Sequence, residues 1–260
     1  MNGPVYAQTI VGLRSQLRRL GWDDGDIRRV DDAYEIGMRL FTAQFRPTGD
    51  PFLAHLVRTA SILADVGADA TLVVAGLLHS AYTHGEFGDG RRWPSDAKRA
   101  EVRSAVGSDS ERLVHRYADF AWREVLAARA RIDALSPDAR AVLLLRLANE
   151  LEQGLEVAAP GASECFRQGA EAARRLGHPR LATALESVEA DCAGDVVAPD
   201  AHRRRAGAFY YAGPTASFLL PPRSYRLRPI VALRDRLRRF TLVRTLWRAI
   251  GNRRTSEAEG

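Results

Sequence analysis

Within residues 45–84 the chain carries two consecutive apolar runs, each holding a histidine, separated by the short polar turn Gly67-Ala68-Asp69. The second run, from Ala70 to Leu78, is apolar almost all round, and a helix with no polar face has to be enclosed by others. The first places Leu53, Leu56, Val57, Thr59, Ala60 and Ile62 to Ala64 at the three-to-four spacing of a core-facing stripe. Two helices are therefore predicted, with His55 on the first and His79 on the second. A buried imidazole needs a partner for each ring nitrogen. The pair is either a hydrogen-bonded structural couple or half of a metal site.

Helical spacing continues on both sides. Residues 5–20 read as an amphipathic helix with Ile10, Leu13, Leu17 and Leu20 on one face. A second helix is predicted from 27 to 45, capped by Asp23 or Asp24 and stopped by Pro47. After Thr48-Gly49-Asp50-Pro51 turns the chain into the His55 helix, periodicity resumes over 96–106, 110–120 and 138–155. Ser136-Pro137-Asp138 is a helix-start signature, and Val142, Leu143, Leu145, Leu147 and Leu151 form the stripe that follows. Asn149 is expected to point inward for a hydrogen bond. Glu150 and Glu152 are expected to face solvent, with Glu152 within reach of a site on the same side. Two shorter helices, 164–176 and 179–191, form a hairpin. His178, at its break, is expected to be exposed.

Some of these residues carry a family resemblance. Arg46, Thr48, Gly49, Asp50, Pro51 and Phe52 leading to His55, then LADVGADATLVVAGLLHS ending in His79 and Ser80, resemble the HD superfamily, in particular the (p)ppGpp hydrolase domain of RelA/SpoT-type enzymes. The resemblance covers roughly residues 25 to 155 and is specific in order and spacing. It implies an all-α, HD-domain-like helical bundle, extended by a C-terminal helical hairpin and a basic amphipathic tail helix. The expected organisation is a helical domain over 1–155, the hairpin over 156–200, and an extended aromatic segment with the tail helix over 201–260.

The resemblance also implies a site. His55 matches the first metal ligand, His79 the histidine of the His-Asp doublet, and Asn149 the position of the last ligand. Ser80 stands where the family has aspartate, Asn149 where it has a second aspartate, and Thr83 and His84 where it has a catalytic Glu-Asp pair. Two imidazoles and two carboxylates neutralise a divalent cation and lower the pKa of its bound water. Ser80 and Asn149 keep hydrogen-bonding capacity but lose that charge, so the expected metal is a weakly held divalent ion (Mn, Fe or Zn) or none. Arg46, Thr48 and Ser80 are the expected ligand-contacting residues, with Arg46 supplying planar charged stacking. His84 and Glu86, next to or within the glycine-rich stretch 85–90, are candidates for acid–base chemistry or for replacing the missing ligands.

Charge separates the end of the chain from the rest. Residues 202–260 contain fourteen arginines against Asp235, Glu257 and Glu259, a balance of +11, so the remainder carries −5 to give the overall +6. Within this tail, 228–252 keeps helical spacing in Ile230, Leu233, Leu237, Phe240, Val243, Leu246, Trp247 and Ile250, with arginines around it. Such a helix suits an anionic membrane surface or an acidic partner, and equally docking on its own chain. No aromatic-basic motif for sequence-specific nucleic acid accompanies it. Cys165 and Cys192 are too distant for a CxxC pair, the start does not read as a signal peptide, and no run reaches transmembrane length. A cytoplasmic protein, or one peripheral to a membrane, is expected. Two functions stay open: binding of a small phosphorylated or nucleotide-like ligand, or of a protein partner, in a degenerate site, and metal-dependent phosphohydrolysis with altered ligands.

Overall fold

The computed structural model describes residues 6–46, 49–120, 132–156 and 163–193. Among these the regular structure is helical, with one isolated antiparallel bridge, Phe45 to Pro51. The helices are α1 (Ile10–Arg19), α2 (Asp24–Phe41), α3 (Phe52–Asp65), α4 (Ala70–Leu78), α5 (Ala81–His84), α6 (Asp96–Val106), α7 (Ser108–Asp119), α8 (Pro137–Glu156), α9 (Ser163–Arg175) and α10 (Pro179–Ala193). They lie in one compact unit, while Glu86–Arg91 clusters with a second; inside that segment Asp89 Oδ1 accepts from the Arg91 amide at 2.9 Å. The tail helix expected over 228–252, the extended aromatic segment before it, and Thr48 lie outside the described residues. No helix among the described residues is long and apolar enough to cross a membrane.

Caps in the sequence fix most helix starts. Thr9, Asp23, Asp69 and Ser95 each accept, through the side chain, an amide three residues on. Helix α2 buries Ile27, Val30, Ala33, Ile36, Gly37, Leu40 and Phe41. It ends at Phe41, four residues before the expected stop, because the chain there folds back on itself. The Arg46 amide donates to Asp50 O at 2.8 Å, Gly49 to Arg46 O at 2.9 Å, and Phe52 to Gln44 O at 2.9 Å. Gly49 adopts φ +99°, a conformation that favours glycine. This closed loop delivers Arg46 to the start of α3, where Phe41 and Phe52 stack with ring centroids 5.0 Å apart.

Helices α3 and α4 are the centre of the unit. Nearly every residue of α4 is buried, as its all-apolar sequence requires. The two helices pack closely: a Cβ on Gly76 would lie 2.7 Å from Leu63 Cδ1 and 3.4 Å from Ala60 Cα. Residues equidistant from the turn near Gly67 thus face each other, so the helices run antiparallel, and His55 and His79 meet by the same symmetry. Helix α8 packs on α3, α4 and α7, and the α9–α10 hairpin packs on α8. His178 at the hairpin turn is half-buried, not exposed as expected, and its Nδ1 donates to Val66 O at 3.1 Å.

Candidate functional site

The two histidines are sealed within the bundle, His79 with 1% of its surface exposed. Each has one ring nitrogen committed. His79 Nδ1 lies 2.8 Å from Gly76 O, and His55 Nδ1 lies 2.5 Å from Glu152 Oε2. A carbonyl and a carboxylate only accept, so both Nδ1 atoms carry the proton. As neutral rings, both then present a bare lone pair at Nε2. The two Nε2 atoms face each other at 3.2 Å, where lone pairs repel. The arrangement is relieved when a proton or a metal ion is held by both. Burial depresses the proton affinity of both rings, of His55 despite Glu152 and of His79 further, because His55 and Arg146 add like charge.

Glu152 was expected to face solvent, and the structure corrects this: its surface is 0% exposed. Helix α8 is covered by α3 on one side and by the α9–α10 hairpin on another, so its buried surface is wider than its apolar stripe. The carboxylate is matched on all sides. Arg58 Nε donates to Oε1 at 2.8 Å, and Arg46 Nη1 lies 3.1 Å from Oε2 and 3.3 Å from Oε1. Burial alone would raise its pKa, but the His55 hydrogen bond and the charges of His55, Arg46 and Arg58 outweigh burial and hold it below the usual carboxylate range. At the rim, Asp50 Oδ2 stands 3.5 Å from Arg58 Nη2. The two guanidiniums are thus balanced by Glu152 inside and Asp50 outside. Arg46, expected to stack on a ligand, directs its charge to Glu152.

Of the remaining candidates, Asn149, Ser80 and His84 belong to the same compact unit as this centre. Asn149 is buried on α8 one turn before Glu152. Ser80 is buried, and its carbonyl accepts from the amides of Thr83 and His84. His84 is half-buried in α5; its Nδ1 lies 2.9 Å from Thr83 Oγ1, and its ring packs at 5.4 Å on Phe52, which also meets His55 edge-on at 5.5 Å. Glu86 belongs to the separately clustered Glu86–Arg91 segment, where it is half-buried. Tyr117 of α7 meets His79 edge-on at 5.0 Å and accepts a 3.2 Å hydrogen bond from Arg146 Nη1; burial raises its pKa to about 12. Among the described residues, no three His, Cys, Asp or Glu side chains are grouped to hold a metal.

The donor set therefore fits a metal only in part. Both Nε2 atoms are within reach of one ion at imidazole–metal bond lengths of ~2.0–2.1 Å, and each ring is oriented from behind, as ligand histidines are. No carboxylate joins them as a ligand. Glu152 and Arg58 are the site residues that sequence reasoning missed. The three- and four-residue steps from Leu145 to Ala148 to Glu152 were the available signal that Glu152 shares the inward face, whereas Arg58, its main partner, reads as an ordinary interruption of an apolar stripe.

Residues 39–121 match the family model of a domain of unknown function, DUF6817. The chain is 31% identical over 127 residues to a GTP pyrophosphokinase of Streptomyces coelicolor, covering 48% of this chain and 14% of that protein. It is 40% identical over 74 residues to a probable GTP diphosphokinase, RSH3, chloroplastic, of Arabidopsis thaliana, covering 28% and 10%. It is 41% identical over 54 residues to the bifunctional (p)ppGpp synthase/hydrolase RelA of Mycobacterium tuberculosis, covering 21% and 7%. The chain thus spans about one-tenth of the length of these curated relatives.

Proposed function

Starting from a chain similar in sequence to RelA/SpoT-type (p)ppGpp enzymes, we propose that it binds a phosphorylated, nucleotide-like ligand at the His55–His79–Arg46–Arg58 cluster without performing standard HD phosphohydrolysis. The observation that carries this reading is the position of the acid. Glu152 has its oxygens engaged by His55, Arg46 and Arg58, while the positions matching the family's ligand aspartates hold Ser80 and Asn149. A metal that activates water for attack on phosphorus needs anionic ligands to offset its charge, and here His55 and His79 offer it neutral nitrogens. When bound, such an ion would polarise a phosphoryl oxygen. The protein's own groups orient and hold: the rings are fixed through Nδ1, and Arg46 and Arg58, each roughly 15% exposed, stand at the edge of the cluster where a phosphate would meet them.

Thermal denaturation of the full chain with GDP, GTP or ppGpp tests the reading. A ligand at a hundredfold excess over its Kd stabilises the folded state by about 2.7 kcal/mol, a rise of several degrees in Tm. The expected outcome is such a rise, reduced in Arg58→Gln, with ppGpp recovered intact after incubation with Mn2+ or Zn2+. Steady release of pyrophosphate would establish the alternative, a metal-dependent phosphohydrolase with altered ligands. No shift with any nucleotide would overturn ligand binding and leave a protein partner as the occupant.

A further inference from the structure

The geometry points to Asp50 as a built-in competitor for phosphate: its carboxylate stands at the outer end of the Arg58 guanidinium, where a phosphoryl oxygen has to displace it. The inference rests on reading the Arg46–Arg58 cluster as a phosphate-binding site, and it adds how entry to that site is controlled.

The charges of the cluster come first. With both histidines neutral, Arg46 and Arg58 carry two positive charges, and Glu152 and Asp50 carry two negative ones. The cluster is therefore neutral while Asp50 stays in place and positive by one charge once it swings away. Only one of the two acids can leave. Glu152 is sealed in the bundle and held by Arg58 Nε at 2.8 Å, Arg46 Nη1 at 3.1 Å and His55 Nδ1 at 2.5 Å. Withdrawing it would strip two largely buried guanidiniums of their inner counter-ion. Asp50 has 46% of its side chain exposed, and its ion pairing among the described residues is a 3.5 Å contact with Arg58 Nη2. A charge-assisted hydrogen bond from a guanidinium ordinarily closes to about 2.7–2.9 Å, so this pair is a loose one.

The loop that carries Asp50 permits the exchange without unfolding. It is closed by the Arg46 amide, which donates to Asp50 O at 2.8 Å, and by the Gly49 amide, which donates to Arg46 O at 2.9 Å. Both bonds use main-chain atoms, so the Asp50 carboxylate can turn about its own side-chain torsions while the loop and Arg46 stay where they are. Such rotations of exposed side chains are fast, and the exchange adds no slow step. Arg58 is fixed from within, because its Nε is committed to Glu152. Its outer end therefore stays at the rim whichever anion meets it. A phosphoryl group, with a charge of about −1.5 to −2 and three acceptor oxygens, offers that end more than a single loosely placed carboxylate does.

The test is isothermal titration of the full chain with inorganic pyrophosphate at fixed ionic strength. The parent is compared with Asp50→Asn, which keeps the size of the side chain and removes its charge. The expected result is binding about two- to fivefold tighter in Asp50→Asn, the range an exposed ion pair is worth, and a gain that vanishes when the same change is made in an Arg58→Gln background. Asp24→Asn, at an exposed carboxylate on the opposite end of α2 from Phe41, alters the net charge equally and should leave the affinity as it was. That comparison decides the matter if Arg58→Gln does not fold or no longer binds. Unchanged or weaker binding in Asp50→Asn overturns the competition, as does an equal gain in Asp24→Asn or in an Arg58→Gln background that still binds. Pyrophosphate bound by the parent with no gain in Asp50→Asn removes the role of Asp50 and leaves the phosphate site standing; binding by neither protein removes both.

Discussion

Glu111 is a second sealed carboxylate, 1% exposed, and it is neutralised by different means from Glu152. Tyr82 donates to its Oε1 at 2.9 Å, Arg99 donates to both oxygens at 2.7 and 3.1 Å, and Arg103 reaches Oε2 at 3.4 Å. Burial pushes the Glu111 pKa up, but the hydrogen bonds from Arg99 and Tyr82 outweigh it and hold the group below its ordinary value. A depressed carboxylate stabilises the fold above its unfolded pKa, and that contribution disappears as pH falls through the folded one. Glu111→Gln should therefore cost about 3 kcal/mol at pH 7, with the gap to the parent closing below about pH 4. Urea denaturation of both proteins across that range checks it, and a gap that does not vary with pH would show that the ionised group is not what the arginines hold. These residues explain why part of the site was hard to read from sequence. His55 and His79 were legible because apolar surroundings make a histidine conspicuous. Glu111 and Glu152 were not, because an acid is buried only when its partners come from other helices, and a linear pattern does not show partners up to 29 residues away for Glu111 and 94 to 106 residues away for Glu152.

Among the elements, the α3–α4 pair was the most legible, since an apolar run joined by a capped turn leaves little choice but an antiparallel hairpin. The end of α2 was less so. Pro47 is the obvious stop, yet the helix ends at Phe41 because the backbone bonds of the 44–52 loop compete successfully for that stretch. The junction of α8 with the α9–α10 hairpin offers a direct test of packing. A Cβ on Gly154 would lie 2.6 Å from Phe166 Cζ and 2.7 Å from Val188 Cγ1. Replacing a helical glycine by alanine ordinarily gains up to about 1 kcal/mol. Overpacking a fixed core typically costs about 1–3 kcal/mol. Gly154→Ala should lower the urea midpoint because an aromatic ring on α9 and a branched side chain on α10 must both yield. A raised midpoint would mean that the hairpin shifts freely on α8.

At the scale of the whole molecule, α8 ties the parts together: it meets α3, α4 and α7 and carries the hairpin. The all-helical class was readable because every stretch with periodicity had the helical period. The hairpin's docking was not, since its apolar stripe could have served any neighbour. The tail, with its balance of +11 over 202–260, sets a different expectation. The full chain should sediment with phosphatidylserine-containing vesicles at low salt and less so as salt rises, and removal of 228–260 should abolish this; equal sedimentation of both forms would rule out the membrane surface. A last consequence follows from the two acceptors behind the histidines. His79 leans on the main-chain oxygen of Gly76, which every amino acid at that position would still provide, whereas His55 leans on one side chain. A single codon change at Glu152 therefore removes the support of His55 outright, whereas a change at Gly76 keeps the acceptor of His79 and acts only through the crowding of its new side chain against Leu63.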